Sequence, residues 1–295
     1  MTTPPFSTVR DLLRFAVSRF NQAELAFGHG CANAYDEAAY LILHTLHLPL
    51  DLLEPFLDAR LSASEIEAVL NVIERRARDR VPAAYLTQEA WMHGMRFYVD
   101  ERVIVPRSFI GELLRDGLQP YVSDPDQVST VLELCTGSGC LAVLAAHAFP
   151  NADIDAVDLS PAALEVAARN LDAYALNERV ALFEGDLYAP LTPQRYDVIL
   201  SNPPYVNSAS MQALPEEYRH EPEMALAGGT DGMDIVRRII SEARQWLTDD
   251  GVLVVEIGNE RAHVEAAFGG LDLVWLSTSA GDDNVFLLQA SDLPR

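Results

Sequence analysis

The chain has 295 residues, 49% of them hydrophobic and 22% charged, which is enough for a catalytic domain with a smaller companion and too apolar for a disordered protein. Acidic residues outnumber basic ones 44 to 21, and the resulting −23 repels nucleic-acid phosphates, keeps the protein in solution and favours a basic protein as partner. All positive charge except histidine is arginine; the absence of lysine excludes Schiff-base chemistry and a P-loop lysine.

From the N-terminus, Met1 to Arg10 lacks the apolar run of a leader. The longest apolar stretch, Leu141 to Phe149, is interrupted by His147 and falls far short of the roughly 18 residues of a membrane span. These features predict a cytoplasmic protein with no membrane partner. Residues 1–88 predict a helical domain. Val9, Leu12, Leu13, Ala16 and Phe20 follow the spacing of one apolar helix face, as do Ile66, Val69, Leu70, Ile73 and Ala77. A middle helix is expected from about Tyr35 until Pro49 stops it, and Ser62 with Glu65 has capping-box spacing for the third. Arg75, Arg76, Arg78 and Arg80 at its end read as a solvated face near the negative end of the helix dipole.

Residues 89–110 predict a β-hairpin linker, with Phe97, Tyr98, Val99, Val103, Ile104 and Val105 favouring strands. From 111 to 295 apolar strands near 130–135, 153–158, 180–184, 196–201 and 251–257 alternate with helical segments near 139–149, 161–173 and 233–247. An antiparallel hairpin then turns at Gly281-Asp282-Asp283-Asn284. This is the rhythm of an α/β domain with a Rossmann-like, mostly parallel seven-stranded sheet. Cys31, Cys135 and Cys140 fit no common zinc spacing, the histidines form no ligand pair, and no metal site is expected.

The first strand of that domain runs into Cys135-Thr136-Gly137-Ser138-Gly139-Cys140, a glycine turn followed by a helix N-terminus, where a ligand can approach the backbone closely. Gly137, Gly139 and Ala142 also satisfy G-x-G-x-x-A, and Asp158 lies 21 residues after Gly137. At this point a nicotinamide cofactor and another adenosine cofactor remain equally open. Asp158 is placed to accept ribose hydroxyls, and Ser160 is expected to cap the following helix in its stead. Asp186, after the third strand, is placed to accept from the adenine amine. The fourth strand runs into Asn202-Pro203-Pro204-Tyr205, at the strand ends where open α/β sheets collect ligands. An amide nitrogen is a poor nucleophile because its lone pair is delocalised. An Asn202 oxygen and a Pro203 carbonyl accepting its two N–H groups would aim the lone pair at a methyl donor, with Tyr205 stacked on the planar group.

With these residues the chain resembles the protein-glutamine methyltransferases over nearly its whole length. The run Phe97-Tyr98-Val99-Asp100-Glu101-Arg102 before Val105-Pro106-Arg107-Ser108, the cysteine-flanked glycine loop and Glu217-Tyr218-Arg219-His220-Glu221-Pro222-Glu223 are similar to the branch acting on large-subunit ribosomal protein uL3. Phe109 departs from that branch, which commonly has proline there. The resemblance implies S-adenosylmethionine as cofactor, bound by Cys135, Thr136, Gly137, Ser138, Gly139, Asp158, Leu159, Asp186, Leu187 and Asn202. It implies catalysis by Asn202, Pro203, Pro204 and Tyr205, with Tyr98 and Arg107 lining the substrate pocket. The implied partner is a basic ribosomal protein, free or in an assembling ribosomal particle, with no direct DNA binding. Three alternatives stay open: the sister branch that modifies release factors, an adenine-amine methyltransferase on nucleic acid, and a ribosome assembly factor whose catalysis is incidental.

Overall fold

The computed structural model describes residues 6–294, so the first five residues of the stretch read for a leader lie outside the described residues. Among those described, no helix is long and apolar enough to cross a membrane. The described residues form two compact units: one comprises residues 6–90 together with Pro215–His220, the other Trp91–Leu214 and residues 221–294. The hairpin therefore does not stand apart as a linker, and six residues from far along the chain fold with the N-terminal helices.

The helical unit holds α1 (Val9–Gln22), α2 (Ala34–Thr45), α3 (Ala63–Arg78) and the short α4 (Ala83–Thr87). Capping boxes start α1, by Thr8 and Asp11, and α3, by Ser62 and Glu65; each satisfies orphan backbone N–H groups at a helix start. Val9, Leu12, Leu13, Ala16 and Phe20 are all buried, as the spacing predicts. The arginine cluster is not uniformly solvated. Arg76 is 1% exposed, bonded to the Glu37 carboxylate and to the Ala26 carbonyl at 3.0 Å. Arg80 donates to Glu217 at 2.8 Å, and Glu217 also accepts the Ala26 N–H at 3.1 Å. A charge taken out of water needs such partners, and these come from α2 and from the Pro215–His220 segment, which helical periodicity does not register. Arg75 and Arg78 are exposed as expected.

In the chain's middle, β1 (Glu89–Met92) and β2 (Met95–Tyr98) form a two-stranded hairpin. The expected strand over Val103–Val105 does not form, because the Val105 N–H is taken by the Glu221 carboxylate at 2.9 Å. The rest of the catalytic unit is α5 (Ile110–Arg115), β3 (Thr130–Leu134), α6 (Cys140–Ala148), β4 (Asp153–Asp158), α7 (Pro161–Ala173), β5 (Val180–Glu184), β6 (Tyr196–Ser201), α8 (Ser208–Ala213), α9 (Asp234–Trp246), β7 (Leu247–Glu256), α10 (Arg261–Phe268), β8 (Val274–Thr278) and β9 (Gly281–Gln289).

Its sheet runs β5-β4-β3-β6-β7-β9-β8, with β9 antiparallel to both neighbours and the other pairs parallel. The central strands are covered on both faces, so they read as continuous apolar runs such as Val198, Ile199 and Leu200, each fully buried. α9 buries Val236, Ile239, Ile240 and Ala243, one stripe at helical spacing. Each large apolar side chain removed from water contributes about 1.5–3 kcal/mol. The register places Leu134 beside both Val157 and Ser201, and Asp158 beside Glu184, so the loops after β3, β4, β5 and β6 open on one edge.

Candidate active site

Along that edge lies a cleft with about 850 Å³ of empty space, its open mouth included. Of the glycine loop, Cys135 and Gly137 line it. Thr136 and Ser138 are buried behind them: Thr136 donates its hydroxyl to Glu133, and the Ser138 carbonyl accepts from Asn170 at 2.8 Å. Gly139 faces α7, where an added Cβ would stand 3.1 Å from that of Ala167. The loop thus divides between two residues that meet the cleft and three that build the turn.

Asp158, which ends β4, and Leu159 after it also line the cleft, with Leu159 57% exposed, an apolar face available to a ring. Ser160 caps α7 through the Ala163 N–H as expected, yet Asp158 is not thereby released. One of its carboxylate oxygens accepts the Ser160 N–H and the other the Gly137 N–H, both at 2.8 Å. It ties the glycine loop to the end of β4, and each oxygen retains a second acceptor position for a ligand hydroxyl. Burial raises the Asp158 carboxyl above the ordinary carboxylate range, against these backbone donors. Asp186 and Leu187 line the cleft after β5, and Arg238 of α9 holds the Asp186 carboxylate at 2.8 Å.

The far wall is one that motif reading missed: Arg102, Val103 and Ile104, and then Pro222, Met224, Ala225, Ala227 and Ile235. Among the described lining residues the charged groups are Asp158, Asp186 and Arg102, the last already bound by Asp100 and Glu165. A dinucleotide would bring its diphosphate against two carboxylates and an engaged arginine. A cationic ligand would meet complementary charge at Asp158 there.

Asn202 lines this cleft and also a second, smaller cavity, about 280 Å³ of empty space with its open mouth included, shared with Pro203, Tyr205, Val206, Ile104, Arg107, Ala225 and Leu226. Pro204 turns to the cleft side. Ser201, just before the motif, donates its hydroxyl to the Leu134 carbonyl at 2.9 Å and so pins the end of β6 to the end of β3. Beyond it the loop is clamped by two glycines. A Cβ at Gly228 would lie 2.7 Å from the Tyr205 Cα, and one at Gly258 would lie 2.6 Å from the Tyr205 ring; no side chain fits either approach. Val206 and Gly228 complete the clamp by backbone bonds, Val206 N–H to the Leu226 carbonyl at 2.8 Å and Gly228 N–H to the Val206 carbonyl at 2.9 Å.

Arg107 lines the smaller cavity. Tyr98 does not: its hydroxyl donates to Asp100 at 2.8 Å, Arg169 lies over its ring, and its backbone pairs with Asn170. It packs the hairpin onto α7. The segment after Arg107 is held by Glu256 at the end of β7, which accepts the Ser108 hydroxyl at 2.6 Å and the Phe109 N–H at 2.8 Å. A proline at 109 could not make the second bond. Burial pushes Glu256 up to about 7 in spite of these donors, and pushes Glu133, which is 1% exposed, up to about 8.

The Glu133 shift carries a stability prediction. A carboxyl whose folded pKa is raised from 4.5 to about 8 contributes stability that is full below the unfolded value and lost as pH rises through the folded one. Glu133→Gln keeps the acceptor for Thr136 without the titration. Relative to wild type, its unfolding free energy should improve between about pH 5 and pH 8.5, by at most about 1.4 kcal/mol per pH unit. Urea unfolding at three pH values reads this; a constant difference would show that Glu133 does not titrate in this range.

Comparison with known proteins agrees with this geometry. Residues 117–217 match the family model described as "Methyltransferase small domain". The solved catalytic domain of hMettl16, 14% identical, shares the fold with a TM-score of 0.51 over 77% of this chain and 81% of that one. Sheet order, cleft and family match together define a methyltransferase of the Rossmann-like class. Within that class the chain belongs to the ribosomal protein uL3 glutamine methyltransferases. It is 76% identical to the one of Burkholderia pseudomallei over 100% of this chain and 99% of that protein. Identity is 61% to that of Bordetella pertussis, covering 97% and 96%, and 58% to that of Neisseria meningitidis, covering 97% and 94%.

Proposed function

We propose that the protein transfers a methyl group from S-adenosylmethionine to the side-chain amide nitrogen of a glutamine in large-subunit ribosomal protein uL3. The observation that carries this reading is the position of Asn202 in the walls of both cavities, the cleft for the cofactor and the smaller one for the acceptor amide. Bound in the cleft, S-adenosylmethionine supplies an activated methyl group. Asp158 holds the ribose, Leu159 and Leu187 cover the adenine, and Asp186, fixed by Arg238, accepts from its amine.

In the smaller cavity the Asn202 side-chain oxygen and the Pro203 carbonyl accept the two amide N–H groups. This fixes the nitrogen so that its lone pair faces the cleft, and preorganised acceptors avoid reorganisation during transfer. Tyr205, its ring held against Gly258, stacks on the amide plane. A formal general base is not required, because the amide proton can leave to water after transfer. The helical unit serves substrate recognition, and the −23 charge draws in a basic ribosomal protein, free or in an assembling particle, in the cytoplasm where ribosomes are built.

The test is whether the purified protein moves tritiated methyl from S-adenosylmethionine into uL3 when a release factor and duplex DNA are offered beside it. Label in the release factor would support the sister activity, and label in DNA would support the adenine-amine alternative.

A further inference from the structure

The acceptor cavity contains a charge that a neutral amide does not call for. Arg107 is the one charged side chain among the described residues lining it, and a bare guanidinium in that place would draw a carboxylate more strongly than an amide. The guanidinium is met instead by Glu221, whose side chain is 0% exposed. The pair is bidentate: Nη1 donates to Oε1, and Nη2 to Oε2 at 2.7 Å. It is anchored on both members, since Oε1 also accepts the Val105 N–H at 2.9 Å and Arg107 Nη1 donates to the Val105 carbonyl at 3.0 Å. The carboxylate therefore stays on the protein side of the arginine, and the cavity is presented with a compensated charge.

We infer that Glu221 is a specificity-determining residue: by neutralising Arg107 from within the protein it makes the acceptor cavity accept the amide of glutamine and refuse the carboxylate of glutamate. Glutamine and glutamate have nearly the same shape, so cavity size cannot tell them apart and charge must. A glutamate entering beside the paired arginine loses its water, gains no counter-charge and faces the acceptor oxygens of Asn202 and Pro203. The consequence is protection against deamidated substrate, which would otherwise occupy the site without being methylated on nitrogen. The inference rests on the glutamine-acceptor reading proposed above.

The experiment compares unmethylated uL3 with the same protein carrying glutamate at the acceptor position, that position being located first by mass spectrometry of the methylated product. Binding of each to the enzyme saturated with S-adenosylhomocysteine is measured by calorimetry, and inhibition of transfer by the glutamate form is measured in parallel. Wild type should bind the glutamine form about tenfold or more tightly than the glutamate form, since a buried uncompensated charge is costly. In Glu221→Gln, which keeps shape and one acceptor oxygen but not the charge, the preference should fall to about twofold or invert as Arg107 becomes available to the carboxylate. The double variant Arg107→Met/Glu221→Gln removes both charges and should recover the preference. A merely structural role for Glu221 would weaken both affinities together and leave their ratio alone. Wild type active on glutamine with an unchanged ratio in Glu221→Gln, or a ratio lost equally in the double variant, overturns this inference alone. Wild type that neither binds nor methylates the glutamine form overturns the acceptor reading and the inference with it.

Discussion

Asn202→Ala should slow methyl transfer by about two to three orders of magnitude, the cost of about 2.7–4 kcal/mol that follows loss of one fixed hydrogen-bonding partner in the transition state. Its cofactor affinity should remain measurable. The expectation is sharp because the loop does not depend on the Asn202 side chain for its shape: Ser201 pins its start, and Gly228 and Gly258 close on Tyr205 behind it. A loss of rate in this variant therefore reports a missing acceptor and not a collapsed loop. Asn202→Asp preserves an acceptor oxygen but adds a charge and removes the amide donors that orient it. It should be severely impaired as well. Single-turnover transfer and a parallel cofactor titration separate the chemical step from binding; full activity in Asn202→Ala would overturn the mechanism.

Asp158→Ala should weaken S-adenosylmethionine binding by about 1.5–3 kcal/mol, or roughly 10- to 150-fold, through loss of a charge-assisted pair of hydrogen bonds. The structure adds a second route to the same loss. The carboxylate that would hold the ribose also receives the Gly137 and Ser160 N–H groups, so its removal frees Gly137 and leaves the loop tied to β4 by the backbone bond from the Thr136 N–H to the Val157 carbonyl at 3.0 Å. Calorimetry on the folded variant decides the matter. Unchanged affinity, or tight binding of a nicotinamide dinucleotide by the wild type, would remove the basis for the cofactor assignment.

Much of the catalytic unit was readable because its signals are local. Strands buried on both faces leave apolar runs, helices leave stripes, and Ser160-Pro161 announces the start of α7 where the structure has it. The position of Asn202 and Tyr205 just after a strand was readable because the apolar run of β6 ends at Ser201. What was not readable depends on partners remote in sequence. The apolar run of Val103–Val105 suggests a strand, but its backbone is claimed by Glu221, 116 residues away. Arg76 looks like any arginine at a helix end until Glu37 and Ala26 surround it. Tyr98 has the composition of a pocket wall and is consumed by Asp100, Arg169 and Asn170. Ser160 caps α7 as its place in the sequence suggests, while the Asp158 carboxylate receives the Ser160 and Gly137 N–H groups, and the second of these joins residues 21 apart. Gly228 and Gly258 gave no signal, since the backbone of Gly232, Tyr205 and Pro204 excludes a Cβ at the first, and the Tyr205 ring with a left-handed φ at the second.

The most direct measurement of the central claim is the position of the methyl group. Unmodified uL3, incubated with the purified protein and S-adenosylmethionine, is digested and fragmented in a mass spectrometer to the resolution of single side chains. The account predicts one methyl group on the amide nitrogen of one glutamine, formed about two to three orders of magnitude more slowly when Asn202→Ala replaces the wild type and absent when that glutamine is changed. A methyl group on a lysine, an arginine or the backbone amine of uL3, or none on uL3 with label appearing in DNA, would contradict it.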